Sequence, residues 1–159
     1  MDIKLNNKEK ILVLGLRKEG KNNVLSIANQ NKIPKSTMFD LYRKLKKYKI
    51  INESVLLDFE KIGYPIKAFF ILKVSIKEKI KLRLYLKNSS YVNSLYMLGN
   101  GQDYLVEGIF RNFKEVHEFE QELTSNFEIN EKQMLNVIEN IVQENFMSKS
   151  ENLDEMKNE

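Results

Sequence analysis

The sequence predicts an α+β chain of two unlike parts, and three observations predict it. Charge divides the chain: residues 1–50 hold 13 Lys and Arg against 4 Asp and Glu, whereas residues 51–159 hold 13 against 18. Apolar residues recur at helical spacing three times within the first fifty positions, then give way to alternating strand-like and helix-like runs. From residue 66 those runs read β-α-β-β-α, followed by one element whose type the pattern leaves open. If that element is a strand, the order closes a split βαβ, ferredoxin-like βαββαβ arrangement. The expected division is a helix-turn-helix domain, winged or plain, over 1–51 and a linker with a short strand over 52–64. A ferredoxin-like domain over 65–147 and a disordered tail over 148–159 complete it.

In the first part, Ile11, Leu12, Leu14 and Leu16 mark a helix ending near Glu19-Gly20, with Gly20 as its C-cap. Asn22 and Asn23 form a turn. Val24, Leu25, Ile27 and Ala28 mark a second short helix, the small Ala28 suiting a close helix crossing. Pro34 opens the third, with Ser36 and Thr37 available to cap backbone N–H groups. Met38, Tyr42 and Leu45 recur at i, i+4 and i+7 with Leu41 beside them, the stripe a helix lays on a core. Arg43, Lys44, Lys46, Lys47 and Lys49 crowd its end, where cations suit the helix dipole. Three short helices with the last one basic form a helix-turn-helix pattern.

In the second part, Val55-Leu56-Leu57-Asp58-Phe59 reads as a short strand and Lys61-Ile62-Gly63-Tyr64-Pro65 as a hinge. Residues 68–74 form a buried strand. Ile76, Ile80 and Leu84, with Tyr85, carry helical spacing until Asn88-Ser89-Ser90 breaks it. Residues 92–98 and 104–110 read as strands about a turn at Gly99-Asn100-Gly101-Gln102. Phe113, Val116, Phe119 and Leu123 mark a helix. From Ile129 the residues Met134, Val137, Ile138, Ile141 and Val142 suit helix and strand alike.

Composition excludes several classes of chemistry. The 159 residues contain no Cys and one His, so no disulfide framework, thiol nucleophile or multi-histidine metal site can be assembled. His117, on a helix between Val116 and Glu118, reads as a surface residue. No stretch approaches eighteen apolar residues, no signal peptide is visible, and a cytoplasmic setting is expected. No phosphate-binding glycine loop, nucleophile motif or supported carboxylate pair occurs, so no enzyme activity, cofactor or metal is expected. The basic half, at +9, is suited to a polyanion; the rest, at −5, is not.

The chain resembles the Lrp/AsnC family of prokaryotic transcription regulators over roughly residues 7–142. Ser36-Thr37-Met38, Tyr42, Leu45 and Lys49-Ile50-Ile51 follow that family's third-helix pattern. Leu57-Asp58 and Ile62-Gly63 follow its linker, Leu86 and Val92 its next step, and residues 98–104 resemble its "T-G-x-x-D" turn. Phe39, Asp40 and Leu41 depart from it, standing where polar or basic residues are usual. Lys49 replaces a glycine and would take a left-handed conformation if the turn is kept, and Ser90 replaces a proline.

For double-stranded DNA, the helix pattern nominates Lys35, Ser36, Thr37, Phe39, Asp40, Arg43 and Lys44 as groove-facing, with Lys46 and Lys47 on phosphates. Phe39 could instead pack on a neighbouring helix, and Asp40 could pair with Lys44 at i+4. The resemblance implies small-molecule sensing, usually of amino acids, at contacts between paired subunits. The local candidate is the turn of Gly99, Asn100, Gly101, Gln102, Asp103 and Tyr104, whose glycines let the backbone approach a ligand and whose Asp103 could pair with an amino group; an ordinary hairpin turn is the competing reading. The resemblance also implies homodimers, assembling into tetramers or octamers, and no membrane partner. Two rivals are a tetrapyrrole-modifying decarboxylase, since some of these are similar to the same two-domain family, and a ligand-binding or oligomerisation module with degenerate DNA binding.

Overall fold

The computed structural model describes residues 5–19, 23–99 and 101–148. The expectations for Gly20, Asn22 and the segment beyond 148 lie outside these residues. The chain forms two compact units, one from residues up to Val55 together with those from Ile141 onward, the other from Leu56–Asn140.

In the first unit α1 spans Asn7–Glu19, α2 Val24–Gln30 and α3 Lys35–Lys47. Leu12, Val24, Ile27, Ala28, Met38 and Leu45 form its buried centre, with Leu41 and Tyr42 packed alongside. Helices this short need tertiary burial to persist, and the Met38/Leu45 stripe supplies it for α3. Gly15 lets α1 and α2 approach: a Cβ there would lie 2.6 Å from two carbons of the Ile27 side chain. The Arg17 guanidinium donates to Glu144 (2.8 Å) and to the Phe146 carbonyl (2.9 Å), so residues after the last strand belong to this unit.

The second unit runs β1 (Ile66–Val74), α4 (Lys79–Asn88), β2 (Val92–Met97), β3 (Tyr104–Phe110), α5 (Phe113–Asn126) and β4 (Ile129–Asn136). Its antiparallel sheet has the order β2-β3-β1-β4, which closes the βαββαβ pattern. The ambiguous last element is therefore a strand. It pairs with β1 from Val74↔Ile129 to Ala68↔Asn136, satisfying backbone groups that a helix there would leave open. Alternation sends Ala68, Phe70, Leu72 and Val74 of β1 toward the helices, where they meet Leu82, Leu86, Val116, Phe119 and Leu123. Phe70 meets the Phe110 and Phe119 rings edge-on, with centroids 6.2 and 5.3 Å away.

Two sequence expectations need correction. No strand forms at residues 55–59: residues 52–58 have no regular structure and no ladder partner, and residues 59–63 form a turn that ends at Gly63, whose φ is +92°. A strand is held by cross-strand hydrogen bonds, and none reaches Val55, Leu56 or Leu57. The helix-turn-helix is accordingly plain among the described residues. In α4 the buried stripe is Leu82 and Leu86, while Ile76, Ile80 and Leu84 are 85, 69 and 53% exposed. Apolar residues at every second position from Ile80 to Leu86 satisfy two helical stripes at once, and spacing alone selected the wrong one.

Candidate nucleic-acid interface and ligand loop

Helix α3 starts without a side-chain cap. Pro34 is its N-cap residue, and the capping expected of Ser36 and Thr37 does not occur. A capping side chain must precede the first turn to accept from its N–H groups; both hydroxyls stand inside the helix. At the other end Lys49 donates its N–H to Lys46 and Ile50 to Leu45, each at 3.0 Å, the Schellman pattern. Lys49 takes φ +55° to do so, the left-handed conformation its place in the motif required. Lys32 closes α2 in the same way at φ +53°.

The nine residues nominated for DNA do not stand in equivalent places. Lys35, Ser36, Phe39, Asp40, Arg43 and Lys47 are exposed, and Thr37 is half-buried. At a 3.6-residue period Ser36, Asp40, Arg43 and Lys47 recur at i, i+4, i+7 and i+11, directly opposite the buried stripe. Asp40 lies 3.5 Å from Arg43 rather than pairing with Lys44. Phe39 keeps 37% of its surface exposed beside that outer row.

Lys44 and Lys46 are exposed as well, at 51 and 45% of their side chains, but each is ion-paired within this unit. The Lys44 ammonium lies 2.7 Å from Glu9 of α1, which is only 3% exposed. Glu9 also accepts from the Asn6 N–H (2.8 Å), while the Asn6 side chain accepts from the Glu9 N–H (3.0 Å), a reciprocal capping box for α1. Burial alone would raise the Glu9 pKa, but the Lys44 and Asn6 bonds together bring it below the ordinary value. Lys46 lies 2.9 Å from Glu53, which also accepts from the Tyr42 hydroxyl. That hydrogen bond pushes the phenol up to about 12.

The described residues of the 99–104 loop are tied down at both ends. Gly101 has φ +91°, Leu98 N–H donates to the Asp103 carbonyl (2.8 Å), and Asp103 N–H donates to Leu72 (2.9 Å). The Asp103 carboxylate lies 2.5 Å from Lys79 and accepts from the Val74 N–H at 2.9 Å. Burial opposes its charge, yet the Lys79 and Val74 bonds outweigh it and lower its pKa. Tyr104 is buried, its hydroxyl donating to the Lys79 carbonyl. Asn100 lies outside the described residues. The loop thus presents Gly99, Gly101 and Gln102 to a cleft of about 480 Å³ shared with Lys73, Ser75 and Asn130. Ser75 Oγ and Gln102 Oε1 are buried there without a hydrogen-bond partner among the described residues.

No protein-family model matches the chain, and no curated protein matches it. Solved structures do. AsnC of E. coli superposes with a TM-score of 0.75 at 17% identity, over 87% of this chain and 95% of that one. LrpC of B. subtilis gives 0.77 at 16%, over 88% and 99%. A transcriptional regulator of Neisseria meningitidis, solved as its L-Met complex, gives 0.79 at 15%, over 87% and 93%. The fold is that of the Lrp/AsnC regulators.

Sequence reading missed three features of this Lrp/AsnC fold. Glu9 was legible as the fourth residue of an Asn-x-x-Glu capping box. Glu53 carried no local signal. Glu107 stood out as a carboxylate inside the apolar run YLVEGIF; it lies on the sheet face turned away from the helices, where Lys67 (3.2 Å), Asn93 and Ser94 hold it. The same face carries Phe69, Ile71, Leu105 and Ile109, with Tyr96 and Leu135 toward its edges. Phe69, Ile71 and Leu105 are half-buried there and Ile109 is buried, while Tyr96 and Leu135 are 52 and 43% exposed.

Proposed function

We propose that this protein is a sequence-specific DNA-binding transcription regulator, acting in the cytoplasm as a homo-oligomer and modulated by an amino-acid-sized ligand. The observation that carries the reading is the outer row of α3, Ser36, Asp40, Arg43 and Lys47, exposed on a short helix whose other side is fixed in a three-helix core. Such a row in the major groove supplies base contacts, and Lys35 and Lys47 supply salt-sensitive phosphate contacts. Phe39 is placed to meet thymine methyl groups.

The apolar sheet face supports pairing. Phe69, Ile71, Leu105 and Leu135 of one subunit would cover the same residues of another in an isologous contact, bringing two copies of α3 to two half-sites. Dimers then assemble into tetramers or octamers. The effector reading rests on the cleft at Ser75 and Gln102, whose unpartnered oxygens suit a ligand ammonium, and on the likeness to a regulator solved with L-Met. A ligand acts by favouring one arrangement of subunits over another.

Two measurements test these parts. Replacing Arg43 and Lys47 together with Gln is expected to weaken DNA binding at least tenfold at physiological salt, and unchanged binding removes α3 from the mechanism. Thermal shift against a panel of amino acids should find one that raises the melting temperature saturably. Ser75→Ala with Gln102→Ala should abolish that rise, and its survival in the double variant places the ligand elsewhere.

A further inference from the structure

Accepting that α3 is the DNA-reading helix, we propose that its lysines divide into two functional classes. Lys44 and Lys46 are positioning residues, held by Glu9 and Glu53, and they set the rotation of α3 about its own axis. Arg43 and Lys47 are the cations that meet DNA.

The argument starts from helical geometry. With the buried stripe of Met38 and Leu45 as reference, Lys44 lies on one flank of α3 and Lys46 on the other, while Arg43 and Lys47 lie opposite the stripe. The Met38 and Leu45 stripe, with half-buried Leu41 and Tyr42 alongside, seats α3 on the core by apolar contact, which is non-directional. Ion pairs with hydrogen-bond geometry are directional. One flank is anchored through Lys44 to Glu9 of α1; the other is anchored through Lys46 and Tyr42 to Glu53, beyond the end of α3. A rotation in either sense lengthens one anchor, so the pair brackets the angle at which Ser36, Asp40, Arg43 and Lys47 face outward.

Glu9 is the stronger of the two anchors. It is nearly inaccessible, and its second oxygen is committed to the capping box of α1, so the carboxylate cannot follow Lys44 elsewhere. A buried carboxylate whose partner leaves is costly, which keeps Lys44 in place when phosphates compete for it.

The test reads the salt dependence of DNA affinity for wild type and for single variants, each with its melting temperature. Losing a phosphate contact reduces the slope of log affinity against log salt by about one. Lys47→Gln is expected to do this with an unchanged melting temperature. Lys44→Gln and Lys46→Gln are expected to keep the slope, lower the melting temperature and reduce the preference for a specific duplex over an unrelated one. Lys44→Arg should restore much of that preference.

Glu9→Gln separates the alternatives by sign. If Glu9 positions the helix, the variant loses sequence preference and stability. If Glu9 merely masks a phosphate-binding lysine, the variant binds DNA more tightly and its slope steepens by about one, which overturns the proposal. Slope loss in Lys44→Gln without destabilisation overturns it as well. A thermal double-mutant cycle between Glu9 and Lys44 needs no DNA: additive effects exclude the anchor. Coupling in that cycle in a wild-type protein that binds no DNA instead shows that the DNA-reading premise has failed while the anchor stands.

Discussion

Lys49 and Lys32 each close a helix in a conformation that L side chains resist. A left-handed residue other than glycine costs about 1–2 kcal/mol, and these two accept it because their N–H groups and those of Ile50 and Ile33 satisfy helix-end carbonyls. Lys49→Gly should raise stability by about 0.5–1 kcal/mol, the relief of strain being partly offset by the entropy of the unfolded chain. A higher midpoint in urea with unchanged slope checks it. Gly15→Ala should do the reverse. Alanine favours a helix, but its methyl would press on Ile27, and overpacking of this kind costs roughly 1–3 kcal/mol.

Glu107 makes a pH prediction. Burial would raise its pKa, yet the bonds from Ser94, Asn93 and Lys67 leave it below the ordinary 4.5. A carboxyl depressed on folding stabilises the protein fully above 4.5, and that contribution is lost as pH falls through the folded value. Glu107→Gln should therefore lower the melting temperature at pH 7 and flatten its decline below pH 4.5. Parallel curves for variant and wild type across that range would refute this.

At the scale of elements, the sequence was legible where one period dominated. The α3 stripe, the apolar run of β1 and the Phe113–Leu123 pattern of α5 each mark one element, and each element forms there, although β1 buries only alternate residues and Phe113 is 63% exposed. It was ambiguous where a pattern served two. Alternating Ile80, Leu82, Leu84 and Leu86 allowed either α4 stripe, and β4 became a strand because the edge of β1 needed a partner. Residues 55–57 have strand composition but no strand to pair with. In the candidate site the exposed row of α3 was readable from spacing. The diversion of Lys44 and Lys46 was not, because Glu9 and Glu53 lie 35 and 7 residues from their partners, beyond any local rule. The loop around Asp103 was placed by its glycines, while its closure by Lys79 and Val74 depends on β1 and α4 meeting it.

For the whole molecule, the apolar sheet face turned away from the helices makes oligomerisation the property to examine. Phe69 and Ile71 lie at its centre on β1, next to Leu105 on β3 and Leu135 on β4. Phe69→Glu should shift the protein toward monomer in sedimentation equilibrium while leaving the first unit folded, and DNA affinity should fall with it because two half-sites are no longer engaged together. An unchanged oligomer would move the subunit contact to another surface. The most direct test of the central claim is DNA affinity across a salt series, with the protein's own upstream region set against an unrelated duplex. The account predicts tight, salt-steep binding that favours the upstream fragment throughout the series. Equal binding to both duplexes, or none at low salt, would contradict it.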